Sequence, residues 1–168
     1  MKKYKLLFIV YTVFTLTACA QIIKMGSSKG NSDFNGTIDN MLIVIEGEPT
    51  SGRVHSIDKN ELRKISIPFN KHDIRTDTVI YTQFSIEPSA ELDKKSKDYE
   101  YVLFIKPTAP KKFLLNVENI ESGQKVWAGT ITVPPATFSK SYERFEAMGE
   151  KILRRMHEDK VIELKDID

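Results

Sequence analysis

Apolar and polar positions fall in blocks along this chain, and the blocks predict most of its elements. The first, Leu6 to Leu16, is eleven residues without a charge, behind the basic opening Met1-Lys2-Lys3-Tyr4-Lys5. It has about half of the roughly 20 apolar residues a membrane-spanning helix needs. A short apolar core between lysines and small residues has the form of a secretory signal. Residues 24–40 are rich in Gly, Ser, Asn and Asp, and only Met25, Phe34 and Ile38 are large and apolar. Such a segment buries too little apolar surface to offset its ordering entropy, so it predicts a flexible tether reaching about 20–25 Å.

The folded part then starts at Met41-Leu42-Ile43-Val44-Ile45, an unbroken β-branched run that predicts a strand covered on both faces. Residues 50–77 allow two readings. Asp58-Lys59-Asn60-Glu61 has capping-box spacing and predicts a short helix over 59–66. Ile65, Ile67 and Phe69 alternate as in a strand, and Pro68 weakens both readings. A short helix running into an extended segment is the better of the two. Next, Ile80, Thr82, Phe84 and Ile86 share one face of a strand, and Pro88 to Lys97 reads as a polar loop or one short helix. Asp98 to Ile105 is the best strand in the chain, apolar on both faces and therefore central.

Phe113, Leu115 and Val117 line one face of the next strand. Glu121-Ser122-Gly123-Gln124 predicts a tight hairpin turn, and the return strand Lys125 to Val133 sets Trp127, Ile131 and Val133 on one face. Pro134-Pro135 ends it, since neither residue can donate to a ladder. Tyr142, Phe145, Met148, Ile152 and Met156 recur at three- and four-residue steps, the stripe of an amphipathic helix that Ser139 or Ser141 can cap. The pattern predicts an α+β domain over 41–168: a mostly antiparallel sheet with a C-terminal amphipathic helix packed on one face. The alternative is a β-sandwich with one appended helix, which requires residues 62–70 to form a strand.

The sign of the net charge reverses once the leader is set aside. Removing its three lysines from 25 basic and 23 acidic side chains leaves a body of net charge about −1. The basicity of the full chain belongs to the leader, and no case for a nucleic-acid partner survives. Cys19 is the sole cysteine, so no internal disulfide can form.

Leu16-Thr17-Ala18-Cys19 resembles the lipobox of bacterial lipoproteins at all four positions. The resemblance implies a signal peptide over 1–18, cleavage between Ala18 and Cys19, diacylglycerol on the Cys19 thiol and an acyl chain on its new amine, with 19–40 as anchor and tether. Two or three acyl chains hold a protein at a bilayer essentially permanently, where one holds it only marginally. Ala20 stands where an Asp is associated with inner-membrane retention in two-membrane families. The resemblance therefore implies an outer-membrane anchor facing the periplasm, or the cell membrane where there is only one.

The chain carries few residues in a chemically suggestive pattern. His55, His72 and His157 have no metal-ligand spacing and no second cysteine to join them. His72-Asp73 has no serine elbow beside it, and Gly26 and Gly30 open no phosphate loop. The expectation is a protein with no catalytic residues, no metal and no cofactor beyond the covalent lipid. Lys94, Lys95 and Lys97, with Lys106, Lys111 and Lys112, are either a solvated rim or a contact for an anionic polymer, head group or partner. Trp127 is a core residue, or a partner contact if it points away from the helix.

Residues 98–158 also resemble small envelope lipoproteins, the curli-secretion lipoprotein and the lipoprotein activators of penicillin-binding proteins. Asp98, Tyr99, Asn119, Gly123, Val126 and Trp127 carry the likeness. It implies an accessory protein that binds another envelope protein. The rival expectation is a carrier or sensor holding a small apolar or anionic ligand between sheet and helix. The oligomeric state is left open.

Overall fold

The computed structural model describes residues 23–46, 59–81, 88–109, 112–133 and 141–164. The leader, Cys19 and its flanks lie outside the described residues, as do His55, Lys111, the strand positions 82–86 and the capping candidate Ser139.

Six strands form one sheet in the order β1-β6-β5-β4-β2-β3. They are β1 (Lys24–Gly30), β2 (Asn40–Glu46), β3 (Arg75–Tyr81), β4 (Tyr101–Ala109), β5 (Lys112–Asn119) and β6 (Lys125–Thr132). The helical elements are α1 (Lys59–Leu62), a 3₁₀ turn (Arg63–Ser66), α2 (Ile67–Lys71), α3 (Pro88–Ser96) and α4 (Ser141–Glu158). Pairings β1–β6, β6–β5 and β5–β4 are antiparallel, while β2 runs parallel to both β4 and β3. The α+β, mostly antiparallel reading holds, with a parallel corner at β2. Parallel neighbours need a crossover, and α1–α2 and then α3 provide them.

Two expectations are corrected. Residues 24–40 do not form a loose tether. Lys24–Gly30 pairs with β6 from Lys24↔Thr132 to Gly30↔Trp127, and Ile38 is 1% exposed. Composition understates this strand because β6 supplies its hydrogen-bond partners; an edge strand needs few apolar side chains of its own. Residues 62–70 are helical, so the condition for the sandwich alternative is not met. Pro68 lies in the first turn of α2, where its missing N–H costs nothing. Ile65 and Phe69, four residues apart, are both fully buried. Helical spacing aligns them as well as strand alternation would.

Each sheet face has its own core. On the helix face, Met41, Ile43 and Ile45 of β2 join Leu103, Ile105, Leu115, Trp127 and Ile131. The α4 stripe residues Met148, Ile152 and Met156 belong to the same cluster, as does Leu153 outside the predicted stripe, each 2% exposed or less. Gly149 lets the 3₁₀ turn approach α4: a Cβ there would stand 2.3 Å from the Ile65 carbonyl oxygen. On the far face Leu42, Val44, Val79 and Val102 form a smaller cluster, against which Leu92 of α3 packs. The hairpin after β5 is as expected, with Gly123 at φ +67°.

Candidate functional site

Trp127 faces the helix side of the sheet and is 1% exposed, so it is a core residue and offers no surface to a partner. Its indole Nε1–H donates to Asp159 Oδ2 at 2.8 Å. Ser28 Oγ of β1 donates to the same oxygen, and Arg155 Nε donates to Ser28 Oγ. Arg155 also pairs with Glu158 at 2.9 Å. Asp159, 17% exposed, thereby ties β1, β6 and the end of α4 to one carboxylate. Gly129 belongs to this arrangement: a Cβ there would lie 2.9 Å from the Trp127 ring.

The lysines of α3 divide. Lys95 Nζ donates to Asp77 Oδ2 of β3 at 2.6 Å, whereas Lys94 and Lys97 are exposed. Lys95 is thus part of a clamp on the sheet edge. Thr76 of β3 turns its backbone away from β2: its N–H donates to Asn70 Oδ1 at 2.9 Å and its carbonyl accepts from Asn70 Nδ2 at 3.4 Å. Thr78 N–H donates to Asp77 Oδ1 at 2.7 Å. Side chains therefore occupy the Thr76 groups and the Thr78 N–H, which an added strand would use. Arg75 lies over the Tyr99 ring at 5.2 Å beside this clamp. The opposite edge strand, β1, is blunted differently, by Lys24, Lys29, two glycines and a register shift between Met25 and Ser28.

The Asp77 carboxyl is shifted in two directions. Burial raises it, but hydrogen bonds from Lys95 and Thr78 N–H, with the charges of Lys95 and Arg63, lower it further, and the net position is below the ordinary 3.8. A depressed carboxylate stabilises the fold above its ordinary value and stops doing so as the pH falls through the folded one. Asp77 is 44% exposed, so screening keeps the effect to about 0.2–1 kcal/mol. Asp77→Asn is expected to be less stable than the parent at pH 7 by that amount, with the difference closing as the pH drops below 3.8 in thermal melts.

Away from these edges, the far face of β4, β5 and β6 presents exposed and partly exposed side chains among the described residues. Register sets its rows. Leu114 lies between Lys106 and Thr130, Asn116 lies between Phe104 and Ala128, and Thr132 lies between Lys112 and Lys24. Phe104, Leu114, Asn116 and Ala128 are partly exposed, and Lys24, Lys106, Lys112 and Thr130 are exposed. The face is apolar in the middle and basic along one side. Among the described residues, no group of three or more His, Cys, Asp or Glu could hold a metal, and no helix is long and apolar enough to cross a membrane.

No family model matches the chain, and no curated protein does. Among solved structures it is similar to PelC dodecamers from Paraburkholderia phytofirmans at 14% identity, over 79% of this chain and 94% of that one, with TM-scores of 0.43 and 0.41. Likeness at this level assigns neither a family nor a function.

Phe104, Leu114 and Asn116 were not among the sequence-derived candidates. Once Phe113, Leu115 and Val117 are placed on the core side, alternation puts Leu114 and Asn116 on the other. A large apolar residue at Leu114, on an otherwise polar side of its strand, is the available signal.

Proposed function

We propose that this is a lipid-anchored, non-catalytic accessory protein of the periplasm, held through Cys19 at the outer membrane, or at the cell membrane where there is only one. In this reading it binds another envelope protein during assembly or maintenance of the envelope. The observation that carries the reading is the partly exposed apolar sheet face around Phe104, Leu114 and Ala128, in a sheet whose β3 edge is capped at Thr76 and Thr78 and whose β1 edge is blunted. A partner would dock on the face, with Leu114 and Phe104 as its apolar centre and the lysines at its rim. The carrier reading has less support, because Leu115, Trp127, Ile131, Met148, Ile152 and Met156 fill the space between α4 and the sheet at 2% exposure or less.

Site-specific photo-crosslinking in intact cells tests this. A crosslinker at Leu114 is expected to capture one discrete protein species, and one at the exposed α4 residue Lys151 is not. Failure to capture any protein at Leu114, or the same adducts from both positions, would count against the face.

A further inference from the structure

We infer that the sheet end where β1 begins rests on an anionic lipid surface, so that the domain stands end-on to the bilayer. The inference rests on the Cys19 anchor proposed above and adds an orientation to it. Only five peptide steps separate Cys19 from Lys24, the first residue of β1. Fully extended, they span about 17–18 Å. A lipid head-group layer is roughly 5–8 Å thick. Lys24 is therefore confined to within about 10 Å of the outer limit of the head groups, comparable with the ~8 Å screening length at physiological salt. A tether reaching to residue 40 would impose no such limit; the pairing of β1 with β6 does.

The strand directions decide what else lies at that end. Lys24 is level with Thr132 at the end of β6, and Thr132 with Lys112 at the start of β5. Lys24 and Lys112 thus flank Thr132 across two strand spacings, about 10 Å apart. Both are exposed, and neither has an ion-pair partner among the described residues. Lys106, one rung above, is matched by Glu46 at 3.1 Å and contributes less. At the far end, roughly 23 Å along β6, Lys125 is accompanied by Glu100, Glu118 and Glu121. Across β4, β5 and β6 the end near the anchor is therefore basic and the remote end acidic, while Arg75 and Lys97 add positive charge at the remote end beside β3 and β4. The open face around Leu114 then stands across the membrane plane, where a partner can reach it.

The test uses the full acylated chain in phosphatidylcholine vesicles, with or without phosphatidylglycerol, and an energy acceptor on the head groups. A donor dye is placed on a cysteine at Thr108 near the basic end, or at Glu121 in the far hairpin; both sites are exposed. With phosphatidylglycerol present, strong transfer is expected from Thr108 and little from Glu121. The double variant Lys24→Gln with Lys112→Gln should shift that orientational preference by about fivefold per lysine. Lys29→Gln with Lys125→Gln, the same charge change elsewhere, should leave it unaltered. Equal transfer from the two sites, or a preference indifferent to phosphatidylglycerol and to Lys24 and Lys112, would overturn the inference. Mass measurement of the same preparation separates the two failures. An acylated Cys19 with no orientation rejects only this inference, while an unacylated Cys19 rejects the anchor as well.

Discussion

Trp127→Ala is expected to remove about 3–5 kcal/mol of stability. For a domain of this size, with about 5–15 kcal/mol in total, that is a third of the fold or more. Two losses combine. The ring is 1% exposed, so its removal leaves a cavity in the core cluster that also holds Leu115, Met148, Ile152 and Met156. The indole N–H also disappears from Asp159, which keeps only Ser28 and Arg155 beside it. Trp127→Phe separates the two: it fills much of the space and lacks the donor, so its cost should be nearer 1–2 kcal/mol. Urea denaturation reads both, as a lowered midpoint with an unchanged slope. An Ala variant within 1 kcal/mol of the parent, on the order of a surface substitution, would show that Trp127 does not hold the core.

Gly149→Ala is expected to destabilise, against the sign that helix propensity gives. Alanine is favoured over glycine inside a helix by about 1 kcal/mol. Here the added Cβ would meet the Ile65 carbonyl oxygen at 2.3 Å and Pro68 Cδ at 3.3 Å. The nearer obstacle is backbone in a turn whose own side chain, Ile65, is fully buried, so it cannot swing aside as a flexible side chain would. Overpacking of this kind costs about 1–3 kcal/mol, which exceeds or cancels the propensity gain. The midpoint of urea unfolding should fall for Gly149→Ala. A rise would mean that α4 and the 3₁₀ turn do not meet this closely.

Much of this fold was legible in the chain, for reasons that differ by element. Strands β2 and β4 were read because a strand buried on both faces is an unbroken apolar run. β5, β6 and their hairpin followed from alternation and from Gly123. Strand β1 was missed because Lys-Met-Gly-Ser-Ser-Lys-Gly carries no apolar period; its order comes from hydrogen bonds to a partner about a hundred residues away. The crossover over 59–71 was half-read because Ile65 and Phe69 satisfy both periods, and Pro68 is harmless only once the helix start is placed. The site was less legible than the fold. Lys94, Lys95 and Lys97 look alike in sequence, yet Lys95 alone reaches Asp77. Trp127, the most conspicuous aromatic, is buried, and the surface falls to Leu114 and Phe104, ordinary residues distinguished only by the face they occupy.

The mass of the finished N-terminus tests the anchor at Cys19. Protein extracted from membranes should begin at Cys19, and its first peptide should carry the added mass of diacylglycerol, with or without a third acyl chain. Cys19→Ser should yield no such peptide and should lose membrane retention. A mature chain with a bare thiol at Cys19, or one that still begins at Met1, would contradict the anchor and every placement argued from it.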